Sequence, residues 1–402
     1  MDTDPTAAVN EGTEVVPSEA ETESVYAWSL DDGEPPGKAG DSVAVCWGRT
    51  GRIAIADHSG HSCGTRTSKP RGVSDIATID ISRCRSDGAH KVAAAVDEAL
   101  QRTGFIRVTG HGVAPTLARD ARAEARAFFA QPEAVKRRYS VAVGGRGWLA
   151  PGAETAAYAE GTQTPPDLKE TFRIGSDTAT GDPHVDQVWF APNVWPAEEP
   201  RLQPVLTKYC AAMRVLADDL LAVFAEALGL PNNPFADIAN NPTWALNVNH
   251  YPPVGHIGRP QPGQYRSGPH TDFGTVTILD REPGAGGLQV YSNAHGWHDA
   301  PYDPDALTVN IGDLLEHWSG RRWPAGRHRV LPPQPHAPDE DLVSLIYFYE
   351  ANHDAVVTPL APPIGRVTGL APVMSSTFIK ERLDAITTAH DGDNQHDQPP
   401  QR

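Results

Sequence analysis

The chain has 402 residues, 39% of them apolar and 7% aromatic, enough for one large domain or two ordinary ones with a substantial core. No stretch approaches the roughly 20 unbroken apolar residues of a membrane span, and no charged start leads into an apolar run with a cleavage site, so a soluble, cytoplasmic protein without a membrane partner is expected. A net charge of -17 with no basic stripe argues against nucleic acid.

Residues 1–41 hold eleven acidic residues against the single Lys38, a net of -10. Residues 1–72 as a whole are rich in Asp, Glu, Ser, Thr, Gly and Pro, and such a composition cannot bury enough apolar area to offset the entropy of ordering. A disordered or weakly structured extension is expected there, although VAVCWGRTGRIAIAD, 43–57, alternates like a strand or hairpin. Cys46, Cys63, Cys84 and Cys210 lie far apart, with neither a metal-binding spacing nor a disulfide framework.

Order is expected from Val73. IATIDIS, 76–82, alternates as a strand; HKVAAAVDEALQRTG, 90–104, has helical periodicity ending at Gly104; FIRVTGHG, 105–112, is a second strand. TLARDARAEARAFFAQP, 116–132, is a helix stopped by Pro132, which gives residues 73–200 an α/β character. The longest periodic helix, 203–230, closes at Gly229 and Pro231 and belongs to a backing segment, 201–240. From 241 to 350 come short β-like runs separated by Gly, Pro, Asn and Asp: TWALNVNHYPP, HTDFGTVTIL, GLQVYS, ALTVNIGDLL, HRVLPP and LVSLIYFYE. Such spacing predicts a barrel or sandwich, a jelly roll among the options, so the fold class is mainly β with flanking helices, α+β. Within 351–390, a final helix over 373–389 would pack outside the β core, and 391–402 would be a loose tail.

GPHTDFGTVTILD, 268–280, places His270 and Asp272 two apart, and in a strand that spacing sends both side chains to one face. A third ligand must come from elsewhere, and His328, which begins HRVLPP, is the candidate. Two histidines and one carboxylate form the facial triad of non-haem Fe(II), with three positions left open. Zinc is the alternative for the same ligand types, but the helical HExxH that usually marks zinc hydrolases is absent. His317, in GDLLEHWSG, reads as an ordinary packed side chain.

NHYPP, PHTDFGTVTIL, GGLQVY, VNIGDLL and HRVLPP occur in that order, preceded by IATIDIS, TGFIRVTGHGV, FFAQPEAVK and DLKETFRIG. In these motifs the sequence resembles the iron- and 2-oxoglutarate-dependent oxygenases of the isopenicillin N synthase type, across about residues 73 to 390. The resemblance implies a distorted double-stranded β-helix (jelly-roll) core with Fe(II) on His270, Asp272 and His328 at one mouth. It implies 2-oxoglutarate and O2 as cosubstrates, ascorbate as an auxiliary reductant, and Asn249 and Tyr251 beside the 2-oxo acid. The implied reaction is hydroxylation, desaturation or cyclisation of a small molecule in specialised metabolism, antibiotic biosynthesis included. The oligomeric state is open, and a monomer fits. Pocket walls are expected from 158–175 and the C-terminal helix; Arg146, Lys169 and Arg173 are either substrate-carboxylate partners or, more plainly, solvated surface.

One departure stands out. The family holds the far carboxylate of 2-oxoglutarate with an RxS pair on the strand after the distal histidine. In DLVSLIYFYE Ser344 is kept, but Leu342 stands at the Arg position. A buried carboxylate without its cation costs roughly 3 to 5 kcal/mol. Either another cation substitutes, with Arg266 sharing strand parity with His270, or the enzyme works without 2-oxoglutarate, or the fold only binds small molecules. Substitution is the preferred reading.

Overall fold

A computed structural model of the protein describes residues 45–47, 53–55, 76–85, 89–285 and 287–393. The loose segments expected at 1–72 and 391–402 therefore lie outside the described residues, apart from 45–47, 53–55 and 391–393. The chain divides into two units, Met1–Val73 and Ser74–Arg402. In the first, β1 (Val45–Trp47) and β2 (Ile53–Ile55) form an antiparallel hairpin.

The second unit begins with β3 (Ala77–Asp80), the helix Ala89–Thr103 and β4 (Phe105–Thr109), which lies parallel to β3. Gly104, at φ 70°, ends the helix and turns the chain at once into β4, a left-handed backbone position that a side chain would strain. The helix Pro115–Phe129, β5 (Gly147–Leu149), β6 (Glu170–Gly175) and the helices Pro183–Trp189 and Leu202–Ala227 follow. The jelly roll then runs through β7 (Pro242–Tyr251), β8 (Ser267–His270), β9 (Val276–Asp280), β10 (Leu288–Ser292), β11 (Gly296–Asp299), β12 (Leu307–Ile311), β13 (His328–Val330) and β14 (Leu342–Asn352). The C-terminal helix is Ser375–Asp393.

Two sheets result. The larger has the order β3-β4-β12-β9-β14-β7-β6-β5 and the smaller β11-β10-β13-β8. Strand alternation divides the larger sheet into two faces. Val343, Leu345, Tyr347 and Tyr349 of β14 share a core with Val248, Ile278 and Val309, backed by Leu206, Met213, Leu220 and Phe224 of the helix Leu202–Ala227. The intervening Leu342, Ser344, Ile346, Phe348 and Glu350 instead line a cavity enclosed with the smaller sheet.

One local expectation needs correcting. VNIGDLL is not one β run: β12 stops at Ile311 and a helix, Asp313–Trp318, starts immediately after Gly312. The C-terminal helix, expected both outside the β core and in the pocket wall, contributes Ile379, Lys380, Leu383 and Asp384 to the cavity lining.

Candidate active site

The cavity has a volume of about 450 Å³, within the range of small-molecule sites. In its wall, one ligand atom each from His270, Asp272 and His328 lie within 4.8 Å of one another. Two histidines meet because β8 and β13 pair antiparallel with His270 directly opposite His328. Asp272 arrives differently from the sequence expectation. It lies beyond the end of β8, in the turn 271–275, so a turn and not strand parity brings it to the histidines. Its Oδ1 is 3.7 Å from His270 Nε2 and 4.0 Å from His328 Nε2.

The start of the helix Asp313–Trp318 holds that turn. Gly312 N donates to Thr275 O at 3.0 Å, Asp313 N to Asp272 O at 2.8 Å and Leu314 N to Gly274 O at 3.1 Å. Gly312 permits the approach: a Cβ there would fall 2.4 Å from Gly274 O and 2.8 Å from Asp272 O.

Each donor is oriented from behind. His270 Nδ1 meets the Gly268 carbonyl at 2.7 Å and His328 Nδ1 meets that of Gly326 at 2.9 Å, an arrangement that protonates Nδ1 and leaves the Nε2 lone pairs facing Asp272. Asp272 Oδ2 accepts from Thr277 Oγ1 at 2.6 Å and Asn310 Nδ2 at 2.7 Å, leaving Oδ1 available. Burial and the neighbouring His328 depress the pKa of His270 to about 4, against the pull of Asp272. Burial alone would raise Asp272, but His328, His270 and its two hydrogen bonds hold it below the ordinary value. Neutral imidazoles and an ionised carboxylate are the forms that bind a divalent ion, so the donor set fits Fe(II).

The cosubstrate candidates form an adjoining wall. Asn249 pairs with Ser344 and Tyr251 with Leu342 between β7 and β14, and all four line the cavity. Asn249 accepts from Thr171 Oγ1 at 2.9 Å and donates to Tyr251 Oη at 3.4 Å. Arg266 behaves otherwise. It is 0% exposed, pairs with Glu340 at 2.6 Å, and is not among the lining residues, whereas its neighbour Ser267 is. A register shift between His328 and Val330 sets Ser267 opposite Val330 and breaks the parity that would have aimed Arg266 inward.

Arg146, Lys169 and Arg173, for which solvated surface was the plainer reading, all line the cavity. Lys169 Nζ lies 3.0 Å from Glu154 and 3.4 Å from Asp167; burial opposes its charge, but those two carboxylates outweigh burial and raise its pKa. Arg146 donates to Trp189 O at 2.7 Å, and burial beside Arg173 pulls it down to about 10. Arg146 Nη1 and the lining atom Asn247 Oδ1 have no hydrogen-bond partner among the described residues. Four charged lining groups escaped sequence reasoning: Glu154, Arg281, Glu282 and Glu350. Each lies outside the matched motifs or inside an apolar strand, where only register reveals the direction of the side chain.

Known proteins bear on this geometry. Residues 76–198 match the family described as non-haem dioxygenase in morphine synthesis N-terminal, and residues 243–351 match the 2OG-Fe(II) oxygenase superfamily. The validamycin A dioxygenase of Streptomyces hygroscopicus subsp. limoneus is 38% identical over 78% of this chain and 87% of its own. A homoarginine-6-hydroxylase of Glycine max is 30% identical over 73% of this chain and 88% of its own. The crystal structure of a 2OG-Fe(II) oxygenase family protein from Caulobacter crescentus is similar with a TM-score of 0.66 and 27% identity, covering 77% of this chain and 99% of that one.

Proposed function

We propose, for a chain that belongs to the 2OG-Fe(II) oxygenase superfamily and is an Fe(II)- and 2-oxoglutarate-dependent dioxygenase, that His270, Asp272 and His328 hold the iron and that the substrate is a small polar molecule carrying an anionic group. The observation that carries this reading is the His-Asp-His set in the wall of a cavity whose largely apolar lining also carries Arg146 and Arg173.

Iron, when bound, supplies the redox chemistry by which O2 oxidises both substrate and 2-oxoglutarate, releasing succinate and carbon dioxide. The protein's own residues orient and enclose the reactants. Nε2 of His270 and of His328 and Oδ1 of Asp272 would hold one face of the ion. Asn249, Tyr251 and Ser344 would position the 2-oxo acid. Phe105, packed edge-on to the His328 ring at 5.6 Å, fixes that ligand and keeps water from its flank. No described helix is long and apolar enough to cross a membrane.

Arg146 and Arg173 support the anionic substrate. Arg173 stands opposite Asn247 in the β6–β7 register, and both arginines face the cavity without an ion pair at contact distance among the described residues. A carboxylate or phosphate would satisfy them with charge-assisted hydrogen bonds. The relatives named for validamycin A and homoarginine suggest homoarginine and other amino-acid derivatives, which carry a carboxylate, as the first compounds to try, with validamycin A as the comparison that has no acidic group. The test is succinate release by Fe(II)-loaded protein with 2-oxoglutarate and ascorbate across a panel of each type, acidic and neutralised. Stimulation confined to compounds without an anionic group would refute the substrate class, and no succinate under any condition would refute the enzyme assignment.

A further inference from the structure

With Leu342 at the position where the family places its arginine, the far carboxylate of 2-oxoglutarate needs another cation. Four candidates surround the pocket's inner end, and their partners separate them. Arg266 is paired with Glu340 through Nη1 and lies behind the lining Tyr251, 5.7 Å from its ring; its Nε and Nη2 are buried without a partner among the described residues, but the side chain is not part of the cavity lining. Lys169 is held between Glu154 and Asp167. Arg173 faces the opposite stretch of β7, beside Asn247. Arg281 alone of the four combines a lining position with a place directly after β9, the strand that pairs with β14 next to Ser344.

Its placement follows from register. β9 and β14 are antiparallel, with Leu279 opposite Ile346 and Asp280, the last residue of β9, opposite Leu345; the same register continued one residue beyond the strand would bring Arg281 alongside Ser344. Alternation continued past the end of β9 gives both side chains the same face: Thr277 and Leu279 of β9 and Ser344, Ile346 and Phe348 of β14 line the cavity, and so do Arg281 and Glu282 just beyond β9. The guanidinium is anchored without being neutralised: Nη2 donates to the Ala300 carbonyl at 2.7 Å, and the group lies 5.5 Å from the Tyr302 ring. No carboxylate is at ion-pair distance from it among the described residues, in contrast to Arg266 and Lys169. A half-buried cation on a cavity wall with no counter-ion at contact distance is favourably met by a ligand that brings one.

We propose that Arg281 takes over the role vacated at Leu342, binding the far carboxylate of 2-oxoglutarate together with Ser344 Oγ. The assignment rests on the 2-oxoglutarate-dependent reading given above. It amounts to a relocation of the cation by one strand, from β14 to just beyond β9, with the carboxylate site itself unmoved.

The experiment is anaerobic calorimetry on the Mn(II)-loaded full chain with two probes, 2-oxoglutarate and 2-oxopentanoate, which has the same chain but ends in a methyl group. Arg281→Gln is expected to weaken 2-oxoglutarate on the order of 100-fold and to leave 2-oxopentanoate within about twofold, a selectivity that general damage to the fold would not produce. Adding Leu342→Arg to that variant should restore 2-oxoglutarate binding, and Mn(II) affinity equal to wild type checks that the variant is folded. The proposal is overturned if Arg281→Gln binds 2-oxoglutarate like wild type, if it weakens both acids equally, or if Arg266→Gln alone shows the selective loss. Wild-type protein that takes up Mn(II) but binds neither acid would instead sink the cosubstrate reading on which the assignment depends.

Discussion

His270 and His328 stand opposite each other across β8 and β13 with ring centroids 4.2 Å apart, and each is held through Nδ1 by the carbonyl of the glycine two residues before it. One antiparallel register thus places both imidazoles, and a single turn adds the carboxylate. The supports behind these ligands should therefore matter nearly as much as the ligands. Asn310→Ala, which removes the 2.7 Å bond to Asp272 Oδ2, is expected to weaken Mn(II) or Fe(II) binding about 10- to 100-fold in an anaerobic titration, with the fold intact by circular dichroism. Unchanged affinity would mean that Asp272 needs no such orientation.

Gly312 should be intolerant of any side chain. A Cβ would meet two carbonyl oxygens of the turn that carries Asp272, so Gly312→Ala must move either the turn or the helix Asp313–Trp318. A loss of about 1–3 kcal/mol in urea unfolding, together with weakened metal binding, is expected. Gly263→Ala, at a position open to solvent but with φ 76°, should cost stability alone.

Glu170 is a buried anchor of β6. Its carboxylate accepts Lys136 Nζ and Trp148 Nε1, each at 2.7 Å, and lies 2.8 Å from His250 Nδ1. Burial alone would raise its pKa, but these partners lower it below the ordinary carboxylate value. A depressed folded pKa means that the stabilisation is present above the unfolded value and is lost as pH falls through the acid range. Glu170→Ala, which strands a half-buried Lys136 and an indole N–H, should cost about 3–5 kcal/mol at pH 7, measured by denaturant unfolding, and the gap from wild type should narrow below about pH 4.

Glu350 predicts the opposite slope. Burial pushes its carboxyl up to about 8, against the bond from Thr275 N. Between the unfolded value and 8 the folded chain keeps a proton that the unfolded chain has lost, so this group's contribution to stability declines as pH rises across that window. Glu350→Gln should remove the decline and gain on the order of 2 kcal/mol relative to wild type between pH 5 and 8, discounted for the water-facing side of the group. Parallel stability curves for the two proteins would show that Glu350 ionises normally.

Much of this architecture was legible in the sequence, for identifiable reasons. The alternating runs of β7 and β14 and the long helix Leu202–Ala227 announce themselves through period and punctuation. His270, Asp272 and His328 were legible as a set because PHTDFGTVTIL and HRVLPP stand among further motifs in a specific order, whereas a bare HTD would have been weak evidence; the structure brings the three together. What stayed hidden depends on register and turns. The bulge near His328 turns Arg266 away from the cavity. Asp272 reaches the site from a turn, although strand parity pointed to the same partners. Arg281 follows directly on the apolar strand β9 and gains meaning only from the pairing of β9 with β14, which no local pattern specifies. Arg146 and Arg173 looked like surface because a cavity that accepts a polar ligand uses the same residue types as solvent-facing positions.

The central claim, that His270, Asp272 and His328 hold one iron which drives 2-oxoglutarate oxidation, is tested most directly by O2-dependent succinate formation measured against bound iron. Wild-type protein should form succinate in proportion to its iron, up to one ion per chain, and Asp272→Ala should fall to background in both iron content and succinate. Succinate undiminished in Asp272→Ala, or none at all from iron-loaded wild type, would contradict the account.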